Sequence, residues 1–450
     1  MKAIWRAWLI GGLVVVLGCK SPPPGGQEGA AESDQGAPTD EPGAAAIARG
    51  ASSTLRFTLS RSGLPEAGNW KCDPVLADVN GDGFMDLAAH VRLDKGPQVW
   101  LGDGQGNWHT SSNGLDYDGS CCGGGLGFAD INNDGNLDLA LADHCHGVFV
   151  YLGDGQGGWE LVARDVYPVD SVPAEADAGE YTGAEDIAVG DVNGDGFLDL
   201  VAGSSDKMGG ISVYLGDGSG HNWSQHLCSL PTSGWATRVV LTDLNGDDFL
   251  DLIASHNSGP RAWYGDGQGG WELRSEGLPS PTIKGIYNGL AAGDVNEDGL
   301  ADIAVSNWVD GPEVYLQQSD GSWQKTPDVF PQMLGGAYGM ALGDVDQDGH
   351  LDMVVSGRLS HNEVGYVYGV FVLLGDGQAH WAPLVGGSGL PETGLPFTWG
   401  VALADVNVDG VLDVVAGSGG IVATSRDRNE PTIPAGMLVW ATQLLTASGR

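Results

Sequence analysis

Residues 191–199 read Asp-Val-Asn-Gly-Asp-Gly-Phe-Leu-Asp, and versions of this nine-residue motif occur seven times along the chain. Successive copies start 52, 61, 52, 51, 50 and 61 residues apart, and the two longer spacings contain insertions near residues 163–182 and 358–369. A recurring period of this length is typical of a repeat architecture, in which each unit packs on its neighbours. The copies begin at Asp78, Asp130, Asp191, Asp243, Asp294, Asp344 and Asp405.

Each repeat contains four short apolar runs bounded by Gly, Asn or Asp, a pattern that predicts four strands. One run precedes the motif and one follows it, while the third ends in Gly-Asp-Gly-x-Gly, as at residues 153–157. Four strands in about fifty residues form one propeller blade, so the sequence predicts an all-β, seven-bladed β-propeller with four-stranded antiparallel blades. In six repeats the fourth run opens with Trp: Trp108, Trp159, Trp223, Trp271, Trp323 and Trp381.

The two ends of the repeat region predict how the ring closes. After the seventh motif, residues 437–440 supply a third strand, but no Gly-Asp-Gly turn or fourth-strand Trp follows. Residues 55–60, followed by Gly63-Leu64-Pro65, match the fourth run at 271–274 and its Gly277-Leu278-Pro279. We therefore expect the N-terminal strand to complete the last blade, which removes an exposed sheet edge.

The net charge and the amino-acid composition argue against several classes of protein. The 450 residues carry a net charge of -39, which argues against nucleic-acid binding and fits a cation-binding protein. The 75 glycines have no three-residue period, so a collagen is excluded, and 42% hydrophobic residues argue against global disorder.

The first 53 residues are predicted to lie outside the propeller. Residues 1–19 have a basic start, a short apolar run and a terminal Gly18-Cys19, and they resemble a bacterial lipoprotein signal in which Cys19 becomes lipidated. The alternative is an ordinary secretory signal followed by an incidental Cys. Residues 20–53 read as a flexible Pro/Gly/Ala-rich tether, and 54–445 as the propeller. These features predict an extracytoplasmic lipoprotein of the bacterial outer membrane or cell surface, with membrane contact only through the lipid.

The seven repeats resemble the FG-GAP/VCBS repeats of the integrin α-subunit propeller and its bacterial relatives. The resemblance covers residues 55 to 443. It implies a seven-bladed propeller with calcium in the loop between the first and second strands of each blade.

The motif also predicts calcium on chemical grounds. Calcium is bound by six to eight oxygen ligands, mostly carboxylates and carbonyls, and positions one, three, five and nine supply such side chains. Repulsion among the 24 acidic residues of the seven motifs favours a bound cation over simple Asx turns, which are the alternative. The fourth repeat departs from the pattern, because Asp248 replaces the glycine of position six.

About seven Ca²⁺ are therefore expected. The predicted ligands are Asp78, Asn80, Asp82, Asp86, Asp130, Asn132, Asp134, Asp138, Asp191, Asn193, Asp195, Asp199, Asp243, Asn245, Asp247, Asp251, Asp294, Asn296, Asp298, Asp302, Asp344, Asp346, Asp348, Asp352, Asp405, Asn407, Asp409 and Asp413.

A ligand-binding face is predicted opposite these loops, where the connections vary most. Six repeats carry an aromatic residue shortly before strand one, and these residues either contact a protein or glycan ligand or plug the central channel. They resemble the aromatic region of the integrin α propeller that engages its β partner. The six are Trp70, Tyr181, Trp235, Tyr287, Tyr338 and Trp399.

The cysteines after Cys19 suggest disulfides on that same face. Cys72, Cys121, Cys122 and Cys145 map to the first two blades and allow two bridges, which leaves Cys228 unpaired. The alternative is a soft-metal site formed by residues 143–146 beside Cys121 and Cys122.

The favoured function is a calcium-stabilised binding, adhesion or scaffold module. A lectin or a lyase-like polysaccharide enzyme stays an alternative, with Asp73, Asp186 and Arg238 available near the channel mouth as acid, base or anion clamp. The sequence contains no recognisable catalytic motif, so no catalytic residue is assigned.

Overall fold

The computed structural model describes residues 55–445 apart from 72, 93–95, 116–122, 165, 169–182, 205–209, 257–258, 280–286, 328, 330–335, 362–364, 385–387, 393 and 420–435. Throughout the described residues the regular structure is β-strand. Seven separate antiparallel sheets form, one for each copy of the motif, which confirms the predicted seven-bladed propeller. The predicted signal and tether, Cys19 included, lie outside the described residues, as do Tyr181, Cys72, Cys121 and Cys122.

The first four blades follow chain order. Blade 1 contains β2 (Val75–Ala77), β3 (Asp86–His90), β4 (Pro97–Gly102) and β5 (Trp108–Thr110). Blade 2 contains β6 (Leu126–Ala129), β7 (Asp138–Asp143), β8 (Gly147–Gly153) and β9 (Trp159–Arg164), with the short β10 (Tyr167–Pro168) at its edge. Blade 3 contains β11 (Ala184–Gly190), β12 (Asp199–Ser204), β13 (Ile211–Gly216) and β14 (Trp223–His226). Blade 4 contains β15 (Ala236–Thr242), β16 (Asp251–His256), β17 (Gly259–Gly265) and β18 (Trp271–Leu273).

The last three blades include the ring closure. Blade 5 contains β19 (Tyr287–Gly293), β20 (Asp302–Asn307), β21 (Gly311–Gln317) and β22 (Trp323–Lys325). Blade 6 contains β23 (Ala337–Gly343), β24 (Asp352–His361), β25 (Gly365–Gly375) and β26 (Trp381–Pro383). Blade 7 contains β27 (Thr398–Ala404), β28 (Asp413–Ser418) and β29 (Gly436–Leu444), and its fourth strand is β1 (Leu55–Leu59).

The N-terminal strand closes the ring as the sequence predicts. β1 pairs antiparallel with β29, with Leu55 opposite Leu444 and Leu59 opposite Trp440. Phe57 and Leu55 point into the core between blades 6 and 7, where both are buried. The first and last strands of the propeller are therefore joined by a sheet ladder, and separating them would expose a strand edge and an apolar surface.

Neighbouring blades are joined at the rim and in the core. The segment after strand four of one blade accepts a hydrogen bond from the fourth strand of the next, as in Trp108 N–H to Ser62 O at 2.8 Å and Trp323 N–H to Glu276 O at 2.8 Å. Side chains of Val, Leu, Ile and Ala fill the space between adjacent sheets. The first strands of neighbouring blades pack against one another at the centre of the ring. In the part of the chain that the structure describes, no helix has the length and apolar character needed to span a membrane.

Candidate functional site

All seven motifs form the loop between strands one and two of their blade, so they lie on one face of the ring. In the first repeat, the Asp78 carboxylate accepts hydrogen bonds from the N–H groups of Asp82 at 3.0 Å and Gly83 at 2.8 Å. The Asn80 side-chain oxygen accepts a second bond from Asp82 N–H at 3.0 Å. These bonds curl the loop so that oxygens of positions one and three meet at the N–H of position five, while Asn80 Nδ2 donates to Asp82 Oδ2 at 2.9 Å.

The sixth repeat shows this convergence most directly, because it has a carboxylate at all three positions. One carboxylate oxygen from each of Asp344, Asp346 and Asp348 lies within 4.8 Å of the other two. Among the described residues, none of these three carboxylates forms an ion pair with Lys or Arg, and backbone N–H groups alone offset part of their mutual repulsion. Each oxygen can accept a backbone hydrogen bond and still offer a lone pair. The arrangement fits a calcium ion in donor type and charge.

Position nine has a structural role that the motif alone does not reveal. Asp86 is fully buried, and its two oxygens accept hydrogen bonds from Val79 N–H and Gly102 N–H, both at 2.9 Å. Val79 belongs to the loop and Gly102 ends the third strand, so one carboxylate joins the loop to the sheet. The same pair of bonds is made by Asp138, Asp199, Asp251, Asp302, Asp352 and Asp413.

We call these seven residues the aspartate clamps. Burial raises the pKa of each clamp, to about 6 for Asp86 and to about 7 for Asp302, although the two backbone hydrogen bonds oppose the shift. Whether the clamps also coordinate calcium stays a prediction, whereas their hydrogen bonds explain the constant Asp at position nine without a metal.

The backbone of the loop is left-handed at positions four and six. Position four has φ between 57° and 76° in all seven loops, although four repeats place a residue other than glycine there, including Val408 at 57°. Position six is glycine in six loops, and Asp248 adopts φ 68° in the fourth. A non-glycine residue in this region costs about 1–2 kcal/mol, so the fourth loop stores strain at the position that the sequence singled out.

The Gly-Asp-Gly turns lie against the motif loops on the same face. A Cβ on Gly104 would come within 2.3 Å of the Phe84 ring, and one on Gly267 within 2.3 Å of Phe249. The residue at position seven therefore packs directly on the turn between strands three and four. This close approach explains why glycine recurs in those turns.

The opposite end of the central channel, which we call the mouth, is shaped by β-bulges. The first strands of blades 3 to 7 each contain one residue more than the partner strand, between Ala184 and Asp186 in blade 3 and at equivalent places in the other four. A bulge changes the direction of a side chain. The residues at or beside these bulges include Glu185, Arg238 and Trp399.

An ion cluster plugs the centre of the mouth. The Arg238 guanidinium from blade 4 contacts the Asp73 carboxylate of blade 1, and its Nε donates to Asn288 O of blade 5 at 2.9 Å. Asp186 of blade 3 accepts from Val239 N–H at 2.9 Å. Asp73 and Asp186 are fully buried. Burial raises the pKa of Asp73 to about 7 and that of Asp186 to about 8, although the charge of Arg238 acts to lower both.

A second buried group lies beside this plug. Lys71 from blade 1 reaches Glu185 of blade 3, with 3.6 Å between Nζ and Oε2, and neither side chain is exposed. Glu185 also contacts His144 and accepts from Trp235 Nε1 at 2.8 Å. Burial alone would raise the pKa of Glu185, but Lys71 and His144 outweigh it and lower that pKa to about 2. Sequence reasoning missed Lys71 and Glu185, because only the folded ring brings them together.

The residues near Cys145 form carboxylate–histidine pairs. Asp143 Oδ1 lies 2.8 Å from His146 Nδ1, and Asp143 Oδ2 lies 3.6 Å from His90 Nε2. Cys145 is disulfide-bonded, so it supplies no thiolate, and the soft-metal alternative loses that ligand. Cys228 is a free, half-buried cysteine, as the pairing prediction expects.

Five of the six predicted aromatic residues lie in the described part of the chain, and all five are buried. Trp70, Trp235, Tyr287, Tyr338 and Trp399 are 2–8% exposed, and their contact with a ligand stays a prediction. Half-buried Phe397 packs edge-on against Tyr338, Tyr368 and Trp399, with ring centroids 4.4, 5.3 and 4.6 Å away. Trp308 joins this group at 5.5 Å from Tyr338. Apart from Trp70 of blade 1 and Trp235 of blade 4, these aromatic side chains come from blades 5 to 7, which we call the aromatic half of the mouth. The buried ion cluster and its histidines come from blades 1 to 4, which we call the ionisable half.

Comparison with known families identifies the repeats. A model described as FG-GAP-like repeat matches residues 78–141, 130–202, 191–254, 243–305 and 294–355, which together make up more than half of the chain. No curated protein sequence matches.

Three solved structures are similar to this chain at low sequence identity, and one of them has a TM-score above 0.5. BBS1N, in a complex with ARL6DN, is 13% identical with a TM-score of 0.53, over 88% of this chain and 99% of that one. An Agrocybe aegerita protein that recognises non-reducing terminal N-acetylglucosamine is 18% identical with a TM-score of 0.47, over 71% and 83%. The catalytic domain of a Coprinopsis cinerea GH62 α-L-arabinofuranosidase is 11% identical with a TM-score of 0.35, over 61% and 95%. These likenesses concern the fold alone.

Replacing Asp248 with glycine should stabilise the propeller. Glycine adopts the observed φ without a Cβ penalty, so we expect the free energy of unfolding to rise by about 1 kcal/mol. Denaturant unfolding in excess calcium measures the change. Asp248→Ala removes the same charge but keeps the strain, and an equal gain from Ala would show that charge, not backbone strain, is responsible.

Asp186→Asn should change how stability depends on pH. The folded-state pKa of Asp186 lies above its ordinary value of 3.8, so its contribution is fully present below that value and is lost as pH rises towards about 8. Asn imitates the protonated form at every pH. Thermal melts should therefore show wild type losing stability relative to Asp186→Asn between pH ~4 and ~8. The exposed turn residue Asp266, changed to Asn, is the control, and parallel pH profiles for wild type and Asp186→Asn would contradict the assignment.

Proposed function

Since the chain belongs to the FG-GAP-like repeat family, we propose that it is a calcium-binding β-propeller that acts as an extracytoplasmic binding, adhesion or scaffold module. The observation that carries the calcium assignment is the meeting of three carboxylates in the sixth loop, which has the same pattern of backbone hydrogen bonds as the other six loops. In the sixth loop three carboxylates converge within 4.8 Å without a neutralising Lys or Arg among the described residues. Calcium supplies the missing positive charge, and the oxygens of positions one, three and five hold it.

The mouth is the proposed recognition face. The seven motif loops have the same backbone structure. The mouth instead combines an aromatic half with an ionisable half, and each of these occurs once in the ring. Half-buried Trp308, with Arg358 Cζ 5.8 Å from its ring centroid, and half-buried Phe397 form the accessible part of the aromatic half. His144 and His146, whose side chains are 24% and 14% exposed, form the accessible part of the ionisable half. A rigid scaffold that carries such a varied surface is suited to recognition.

A carbohydrate is the favoured ligand class within this proposal, with a protein as the alternative. Pyranose rings present apolar C–H faces to aromatic side chains and hydroxyl groups to charged ones, which the two halves of the mouth supply. A catalytic use of Asp73, Asp186 and Arg238 is not proposed, because all three are buried and the cluster that they form plugs the channel. Retention of the protein on a glycan column and its release by free sugar would identify a lectin, whereas co-purification with a protein would identify a scaffold.

Residues 1–53 support a lipid anchor and tether. With Cys19 as the lipidated residue, the flexible segment 20–53 would hold the propeller away from a membrane surface. The full chain expressed in a bacterium should partition into detergent, and Cys19→Ser should move it to the aqueous phase. Equal partitioning of the two proteins would contradict lipidation.

Removing calcium should strongly destabilise the domain. We expect about seven Ca²⁺ per molecule of residues 51–450, by metal analysis after equilibrium dialysis. Chelation should lower the melting temperature sharply, because each site contributes about 2.7 kcal/mol when free calcium is a hundredfold above its Kd.

Two variants make the test specific. Asp195→Ala removes a predicted ligand and should reduce the count by about one. Asp154→Asn changes an aspartate that bonds Gln156 N–H and Gly158 N–H in a Gly-Asp-Gly turn, so the count should be unchanged. A calcium count near zero with an unchanged melt would overturn the proposal.

A further inference from the structure

Three motif loops contain an Asn-Gly pair at positions three and four: Asn80-Gly81, Asn193-Gly194 and Asn245-Gly246. In the other four, a residue with a side chain follows position three: Asn133, Glu297, Gln347 and Val408. The difference matters because the backbone nitrogen after an Asn can attack the Asn side chain, and glycine, which lacks a Cβ, hinders that attack least.

The third loop holds the reacting groups in an ordered arrangement. Gly194 N–H, the attacking group, donates to Asp191 Oδ1 at 2.7 Å. Asn193 Oδ1 accepts from Asp195 N–H at 2.9 Å, so a donor already faces the oxygen on which negative charge develops during attack. The departing Nδ2 donates to Asp195 Oδ2 at 2.9 Å.

The fourth loop repeats all three contacts. Gly246 N–H donates to Asp243 Oδ1 at 2.8 Å, Asp247 N–H donates to Asn245 Oδ1 at 2.8 Å, and Asn245 Nδ2 donates to Asp247 Oδ2 at 2.9 Å. Gly194 and Gly246 are both exposed, so water reaches the loops. In the first loop the Asn80 bonds are present, but among the described residues Gly81 N–H makes no bond to Asp78.

From these contacts we propose that Asn193 and Asn245 are sites of spontaneous deamidation. The glycine nitrogen forms a bond to the Asn Cγ, the Cγ–Nδ2 bond breaks, and ammonia leaves with the proton that the glycine nitrogen gives up. Water then adds to one carbonyl of the resulting five-membered imide and opens it to aspartate or isoaspartate. Asn80 reacts more slowly, and Asn132, Asn296 and Asn407 more slowly still.

The two products have different consequences for the loop. Aspartate reproduces the composition of the sixth loop, where Asp346 occupies position three. Isoaspartate adds a methylene group to the backbone and shortens the side chain, so the oxygen of position three no longer meets those of positions one and five. Deamidation therefore either adds a charge to the site or disables it.

Calcium should protect both residues, and this part rests on the proposed function. An ion held by positions one, three and five would restrain the Asn side chain and leave its Cγ less free to approach the glycine nitrogen. The deamidated fraction of Asn193 and Asn245 would then increase with the time that the propeller spends without calcium.

The test is a peptide mass map of residues 51–450 after incubation at mildly alkaline pH, with calcium or with EGTA. In EGTA, Asn193 and Asn245 should convert at least roughly tenfold faster than Asn132, a difference equivalent to about 1.4 kcal/mol in activation free energy. Gly246→Asn is the matched variant, because a Cβ on Gly246 would meet no atom within 4 Å and the second loop already carries Asn133 at this position with φ 57°. It should protect Asn245 and leave Asn193 unchanged.

Each outcome decides one part. Conversion of Asn193 and Asn245 no faster than that of Asn132, or undiminished conversion of Asn245 in Gly246→Asn, would overturn the deamidation sites. Equal deamidation rates with calcium and with EGTA, in protein shown to bind calcium, would overturn the proposal that calcium protects these residues. If no calcium binds but the predicted order of sites holds, the deamidation sites stand and the proposed function fails.

Discussion

The aspartate clamp at position nine is the interaction on which the rest of each blade depends. One buried carboxylate accepts N–H groups from the start of the motif loop and from the end of the third strand, as Asp352 does from Val345 and Gly375. The clamp therefore fixes the loop relative to the sheet before any ion is considered. Losing one partner would leave a buried acceptor unsatisfied, which costs about 1–3 kcal/mol, and the ring contains this arrangement seven times.

The two faces of the ring differ in how far their structure repeats from blade to blade. On the motif-loop face, the backbone geometry is the same in every blade. It is kept even at Val408, a β-branched residue for which the left-handed conformation is unfavourable. At the mouth, bulges in the first strands direct different side chains towards the axis in different blades. The result is a repeated, acidic face suited to cations and a unique face whose polar and aromatic halves occur once.

The centre of the mouth is held by charge rather than by apolar packing. Arg238 spans the axis from blade 4 to Asp73 of blade 1, and Lys71 spans from blade 1 to Glu185 of blade 3. Close packing requires glycine beside these groups, since a Cβ on Gly400 would come within 1.8 Å of Asp73 Oδ1. Breaking a buried ion pair of this kind is costly, so the pairs fix how the blades are placed around the axis.

The sequence by itself determined the number of blades, the strand order and the ring closure, because a period of about fifty residues with four apolar runs can be read from local patterns. It also located the motif loops and the strained Asp248, since spacing within nine residues is a local property. Tertiary structure alone decided the second partner of each clamp and the pairing of Lys71 with Glu185 and of Arg238 with Asp73. It also showed that Trp70 and Tyr338 are buried. These contacts join residues from different strands or blades, and no local pattern encodes the bulges and the axial distances that bring them together.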